Sequence, residues 1–428
     1  MKPKKNILVF PCGSEIALEI YRSLKYSTYF NLIGASSVDD HGRFVFENYI
    51  GDIPYITDVE FIPTIKKIVQ ENKIDAIYPT MDFVIAEIKR NEKEIGCKII
   101  SSELDTVELC LSKKKTYEKL KDTINTPAIY NYLEINTFPV FGKPDIGYGS
   151  RGVKKISTPD SLKEYIDNYP DALFCEYLQG EEYTVDCFTN KNGELLFYGP
   201  RIRKRVMNGI SVNTIPYIEQ NNEFEQIVKK INEKVKFRGA WFVQLKRNEK
   251  NELVLLEIAA RLGGSSSLFR AKGINFAQLT LFDAFDYDVS IMENTYPVEL
   301  DRALDNKFKI DLKFNHIYLD FDDVVIVDQK VNPMAIACVY HFMNRNVQIH
   351  LITKHQHNIN ETLKKYRLET LFDEIISLEK NDYKWRYIKH IDSIFIDDSF
   401  SERKQVQENL GLPVFSVEML DSIFDINN

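Results

Sequence analysis

Two stretches of this chain, one at each end, alternate short apolar runs with helix-spaced segments, and this double alternation limits the fold more than any other feature. Asn6–Phe10 is a short apolar run, and Ser14–Leu24 then carries Ile16, Leu18, Ile20 and Leu24 at helical spacing among polar residues. Asn31–Ala35 is a second run, followed by the helical stretch Pro63–Asn72, the run Asp75–Pro79 and the closing run Lys98–Ser101. Strands separated by helices predict a parallel sheet with helices on both faces. At Phe314 the segment FNHIYLDFDDVVIV opens a second alternation that continues to the C-terminus. A chain of 428 residues is too long for one ordinary core. The expected fold class is α/β and α+β multidomain, with a Rossmann-like first domain over 1–105 and a second domain over 106–300. A charged linker is expected over 301–313, and a Rossmannoid last domain over 314–428.

Composition removes several function classes. The formal net charge is -8, so electrostatics favours neither nucleic acid nor an anionic membrane. No apolar run approaches the ~20 residues of a membrane span. The basic N-terminus MKPKKNILVF passes quickly into PCGSE and reads as a tail entering a strand, not a signal peptide. Six scattered cysteines without a CxxC pair indicate neither zinc nor a disulfide framework, and a cytoplasmic location is expected. Gly13 follows the first strand without a GxGxxG pattern, so that domain is assigned to scaffolding or substrate docking.

The middle of the chain carries the elements that ATP chemistry needs. Polyphosphate is neutralised by cations and backbone N–H groups, and a divalent metal on it needs oxygen ligands. Lys143 ends an apolar run just before Gly147, Gly149 and Gly152, where glycines let backbone amides close over phosphates. Ala240–Leu245 and Leu253–Ile258, joined by RNEKNE, predict an antiparallel hairpin. Gln244 and Glu257 then end facing strands and can share a magnesium ion. Arg261 and the group Arg201, Arg203 and Arg205 add cationic donors.

This order of features over residues 1–300 resembles the ATP-grasp superfamily, in its carbamoyl-phosphate-synthetase-like and amino-acid-ligase-like branches. The resemblance implies a pre-ATP-grasp domain and a two-lobed ATP-grasp domain whose lid spans about 113–175. It implies ATP and Mg2+ as cofactors. Lys113 in LSKKKTYEKL, or its neighbour Lys114, matches the first ATP-binding lysine, and Lys143 the second. Gly147, Gly149, Ser150 and Gly152 match the phosphate loop. Glu176, Tyr177 and Leu178 match the adenine hinge, and Glu182 the ribose carboxylate. Gln244 and Glu257 match the metal ligands. Arg261, helped by Arg203 or Arg205, matches the arginine on the transferred phosphoryl or the substrate carboxylate. Where the family commonly reads E-x-N-x-R, this chain reads Glu257-Ile258-Ala259-Ala260-Arg261, and Ala259 cannot ligate metal. Asp82, in YPTMDF, is a candidate substrate-lining residue, or alternatively a helix cap.

In the last part, Asp320 and Asp322 lie just beyond an apolar run, where residues i and i+2 share a face. One carboxylate can attack a phosphoester while the other serves as acid and base. Thr353 ends the run VQIHLIT, and Asp397 and Asp398 end SIFIDD, where they can hold magnesium. Lys384, with Lys380 in reserve, can neutralise charge. DFDDV, Thr353, Lys384 and Asp397-Asp398 in this order resemble the haloacid-dehalogenase superfamily. That resemblance implies Asp320 as nucleophile, Asp322 as acid/base, and magnesium within the set Asp320, Asp322, Asp397 and Asp398. About thirty residues separate the first two motifs, so only a minimal cap fits.

The function implied is bifunctional: an ATP- and Mg2+-dependent carboxylate–amine ligase acting through an acyl phosphate, joined to an aspartyl-phosphate-type phosphatase. The expected partners are small-molecule carboxylate and amine substrates and a phosphorylated small molecule or conjugate. The rival readings are an ATP-grasp kinase acting on a non-carboxylate acceptor, and a ligase whose last domain is a non-catalytic interaction module.

Overall fold

The computed structural model describes residues 3–147, 151–207, 209–218, 220–303 and 306–424, with residues 307 and 309 described in their backbone alone. The first sheet contains β1 (Lys5–Phe10), β2 (Phe30–Ala35), β3 (Asn48–Ile50), β4 (Ala76–Pro79) and β5 (Lys98–Ile99) in the order β3-β2-β1-β4-β5. Every pairing is parallel. Helices cover both faces: Glu15–Leu24, capped by the Ser14 side chain, on one and Phe61–Glu71 on the other. The alternation at the N-terminus forms the parallel sheet it predicts, with boundaries shifted by one or two residues, and adds the short edge strand β3, which no apolar run marks.

A small four-stranded sheet follows: β6 (Ile129–Tyr130), β7 (Val140–Pro144), β8 (Lys154–Ile156) and β9 (Ala172–Glu176), ordered β6-β9-β7-β8. Next comes a seven-stranded antiparallel sheet of β10 (Glu182–Thr189), β11 (Leu195–Met207), β12 (Ile210–Pro216), β13 (Gly239–Arg247), β14 (Leu253–Ala259), β15 (Val298–Arg302) and β16 (Asn306–Ile310). Its order is β14-β13-β10-β11-β12-β15-β16.

The expected linker over 301–313 does not hold, because Val298–Arg302 and Asn306–Ile310 pair as β15 and β16 at one side of this sheet. The physical reason is alternation. Val298, Leu300, Phe308 and Ile310 are buried between charged neighbours, and Arg302 is buried against Glu15 at 2.8 Å. Beginning the charged window at Asp301 hides the first half of that period-two pattern.

The last sheet contains β17 (His316–Leu319), β20 (Gln348–Thr353), β21 (Glu374–Ser377), β22 (Ser393–Ile396) and β23 (Val414–Phe415), all parallel, ordered β21-β20-β17-β22-β23. A two-stranded ribbon, β18 (Ile326–Val327) and β19 (Lys330–Val331), is the one strand insertion between β17 and the helix Pro333–Met343. One apolar core runs through all three large sheets, joining Ile7, Leu300 and Ile317. Arg270 is buried at this junction, donating to Glu19 at 2.7 Å and to the Glu418 carbonyl at 2.6 Å. A buried arginine needs this many acceptors, since desolvation of an unpaired charge is costly. Among the described residues, no helix is long and apolar enough to cross a membrane.

Candidate functional sites

A cleft of ≈ 270 Å³ opens between the small sheet and the β13–β14 hairpin. Lys113, Lys143, Gly147, Glu176, Tyr177, Leu178, Glu182, Arg203, Gln244, Glu257 and Arg261 all line it. These residues span almost 150 positions of sequence, so it is the fold that gathers them.

Each is held by its local structure. The helix Lys113–Leu120 is capped by the Ser112 side chain, which itself donates to Asp145 at 2.8 Å. That contact turns Lys113 into the cleft, with Nζ 3.2 Å from the Asp145 carbonyl, while Lys114 is exposed. Lys143, on β7, is buried, and its Nζ donates to the Tyr117 hydroxyl at 2.5 Å. Burial holds the Lys143 ammonium below the ordinary lysine range. The Tyr117 hydroxyl in turn donates to the Leu256 carbonyl at 2.5 Å, and burial holds it far above the usual tyrosine range, so it stays neutral.

Gln244 and Glu257 are direct partners in the β13–β14 register. The Arg203 guanidinium bridges Gln244 at 3.0 Å and Glu182, and also donates to the Gly209 carbonyl at 2.6 Å. Arg205 instead meets Asp301 at 2.6 Å on β15, and Arg201 is buried against Asp186 at 2.6 Å. Arg261 makes two 2.8 Å contacts with Asp82, so the first sheet supplies a carboxylate to the cleft wall. Asp82 opens its helix as the first helical residue, after an N-cap at Met81. Gly152 has φ 72 and sits beside the loop; Gly149 and Ser150 lie outside the described residues. The oxygen-bearing Gln244 and Glu257 suit a hard cation on phosphate, and Ala259 in the same wall offers none.

A second constellation lies beyond the last sheet. Asp320 follows β17, Thr353 ends β20 and Asp397 follows β22, three adjacent parallel strands. Carboxylate oxygens of Asp320, Asp397 and Asp398 lie within 4.8 Å of one another. Lys384 places Nζ 2.8 Å from Asp320 and 2.6 Å from Asp397. Burial pushes the Asp320 carboxyl up to about 6 against the pull of Lys384. Burial and the Asp320 charge push Asp397 up to about 7. Three carboxylates against Lys384 and the Arg403 guanidinium still leave an excess of negative charge, which a divalent cation would relieve. The residues present therefore fit Mg2+. Asp322 sits apart, accepting from His355 Nδ1 at 2.9 Å. The Thr353 hydroxyl oxygen accepts from the His355 backbone N–H at 3.1 Å.

Sequence reasoning did not single out Tyr117, Asp145, His355 or Arg403, which donates to the Asp397 carbonyl at 2.6 Å. His355, two residues beyond Thr353, carried a readable signal. Tyr117 and Asp145 act through contacts that no local pattern records.

The fold has relatives. The family described as "ATP-grasp in the biosynthetic pathway with Ter operon" matches residues 168–305, ending before β17. A carbamoyl-phosphate synthase of Methanobrevibacter smithii is 23% identical over 235 residues, 49% of this chain. The chain spans 64% of that relative's length. The biotin carboxylase domain of Hydrogenobacter thermophilus 2-oxoglutarate carboxylase, solved with MgADP, ADP and bicarbonate, superposes with TM-score 0.61 at 17% identity, covering 71% of this chain and 75% of that one. L-amino acid ligase from Bacillus licheniformis gives TM-score 0.58 at 17% identity, with 70% and 80% covered. The chain therefore has an ATP-grasp-like fold, one whose relatives include an amino-acid ligase and a protein solved with MgADP.

Proposed function

We propose that this protein is an ATP- and Mg2+-dependent carboxylate–amine ligase working through an acyl phosphate, with a Mg2+-dependent phosphohydrolase site in its last part. The observation that carries the ligase reading is the convergence of Lys113, Lys143, Gln244, Glu257, Arg203 and Arg261 on one cleft. Lys113 and Lys143 would bind the polyphosphate, and the hinge Glu176–Leu178 the adenine. Glu182 would accept from the ribose once Arg203 turns toward phosphate. Gln244 and Glu257 would hold Mg2+, which screens charge on the transferring phosphoryl oxygens. Arg261, oriented by Asp82, would hold the carboxylate as it attacks the γ-phosphorus. An amine then displaces phosphate, giving an amide.

In the last part, Asp320 would attack a phosphoester. Asp322, more open to solvent, would protonate the leaving group and then activate water. Lys384 would neutralise the nucleophile. The shape of the acidic cluster supports this: three carboxylates at adjacent strand ends, with Lys384 reaching Asp320 and Asp397 from the turn Lys384–Tyr387. We read the units as residues 1–105, 106–310 and 314–428 in a cytoplasmic protein acting on small-molecule carboxylate, amine and phosphorylated substrates.

A panel of carboxylates scored for ADP release, with hydroxylamine present, tests the ligase. A hydroxamate formed with one carboxylate is the expected result. ADP release with a stable phosphoester and no hydroxamate would replace the ligase by a kinase.

A further inference from the structure

The last sheet carries a second side-chain cluster, at the end opposite the acidic one. His316 opens β17, and His350 lies in β20 in register with Tyr318. Alternate residues of a strand share a face, so His316, Tyr318 and His350 point to the same side. His390 comes from the segment that leads into β22, and its ring stacks on His316 with centroids 3.6 Å apart. His316 Nδ1 lies 3.0 Å from His350 Nε2. One ring nitrogen from each of the three histidines falls within 4.8 Å of the others.

The outer contacts set the tautomer. His350 Nδ1 is 2.9 Å from a Glu374 carboxylate oxygen, and a carboxylate only accepts, so Nδ1 carries the proton. His350 is buried, and its Nε2 lone pair is therefore aimed at His316. A carboxylate behind a histidine is the usual support of a metal-binding imidazole, raising its basicity and fixing its orientation. Glu374 is itself held by Lys389 at 3.0 Å.

We propose that His316, His350 and His390 bind a divalent transition-metal ion of the zinc class. Three neutral imidazoles favour Zn2+, Co2+, Ni2+ or Cu2+ over Mg2+, which takes oxygen ligands. Zinc–nitrogen bonds of about 2.0–2.1 Å in a tetrahedron separate ligand nitrogens by roughly 3.3 Å, so the 3.0 Å pair needs to open only slightly, while His316 passes its Nδ1 proton to Nε2 or to solvent. The His390 ring, now parallel to His316 within 6°, must turn out of the stack to aim its lone pair at the ion. His316 and His390 are part-exposed, which gives an entry path and leaves a fourth position for water. The ion would tie β17, β20 and the chain entering β22 together. Asp320 lies four residues further along the strand, about 13 Å away, so this site is separate from the acidic cluster.

The test uses the full chain, stripped with chelator and titrated with Co2+ alone, then Zn2+ alone. The expected result is one tetrahedral Co2+ absorption signal per chain, displaced by Zn2+, with a Tm that rises with Zn2+ concentration. Asp397→Asn should keep the signal. His390→Gln, on the part-exposed histidine, should weaken binding about tenfold or more and remove the Tm response. His350→Gln gives a second reading should His390→Gln fail to fold. A wild-type chain with no Co2+ signal, a signal that survives in both histidine variants, or one lost in Asp397→Asn would each overturn the proposal.

Discussion

The first and last sheets of this protein share one strand order. In both, the first strand is central, the chain winds outward through its second and third strands, and then returns to the other side for the fourth and fifth. In such sheets the crevice beyond the carboxyl ends of the first and fourth strands is the natural place for a site. What stands at those ends differs completely. After β1 and β4 come Pro11 to Ser14 and Thr80 to Asp82, where Ser14 and Thr80 hydrogen-bond at 2.8 Å and Asp82 reaches out to Arg261. After β17 and β22 come Asp320 and Asp397, with Lys384 between them. Equal topology thus carries two unlike arrangements: a carboxylate turned toward Arg261 beyond one sheet, and a concentration of charge beyond the other. Fold fixes where a site can be, and side chains fix what it does.

The strongest way to break this comparison is to neutralise the last sheet alone. Asp320→Asn should lower hydrolysis of a small aryl phosphate by at least about 10³-fold, as loss of a covalent nucleophile does, and leave carboxylate-dependent ADP release intact. Loss of both activities would show that the two sheets are not independent. The reciprocal change is Glu257→Gln. With its anionic oxygen gone, carboxylate-dependent ADP release should fall about 10²–10³-fold while aryl phosphate hydrolysis is unchanged.

Much of this division is legible in the sequence, for physical reasons. Lys143 before its glycines, Gln244 and Glu257 on a hairpin, and the acids after β17 and β22 all sit at places set by local periodicity. The hairpin is legible but its register is not: pairing from the turn runs Arg247 with Leu253 to Leu245 with Leu255, and a register shift between Leu245 and Gln244 then brings Gln244 opposite Glu257. Arg203 and Arg205 could not be told apart in this way. Simple alternation puts them on one face, but the β11–β12 register shifts between them, sending Arg203 into the cleft and Arg205 to Asp301. The Asp82–Arg261 contact joins residues 179 positions apart and leaves no local trace.

That contact is where the first sheet bears on the cleft, so it sharpens the comparison at smaller effect. Asp82→Ala removes the acceptor that orients Arg261. The KM for the carboxylate substrate should rise about tenfold with kcat little changed, since an arginine that is present but mispositioned loses binding in ground and transition states alike. A fall in kcat with constant KM would mean that Asp82 touches the reacting groups themselves.

The smallest effect falls on Tyr117, which belongs to neither sheet and supports the cleft from beneath. Tyr117→Phe removes a donor to Leu256 and the acceptor of Lys143. Each lost contact costs about 0.5–1.5 kcal/mol, so a modest drop in Tm is expected. The more telling change is in pH dependence. Polyphosphate needs the charged ammonium, and burial already holds Lys143 below the ordinary lysine range. ATP affinity should therefore weaken as pH rises, at lower pH than an exposed lysine would lose its charge. Without the Tyr117 oxygen the charged form loses a stabilising partner, so the weakening should begin lower still in Tyr117→Phe. Measuring the KM for ATP from neutral to alkaline pH in both proteins checks this. Superimposable profiles would mean that the tyrosine only packs beneath the lysine and does not hold its charge.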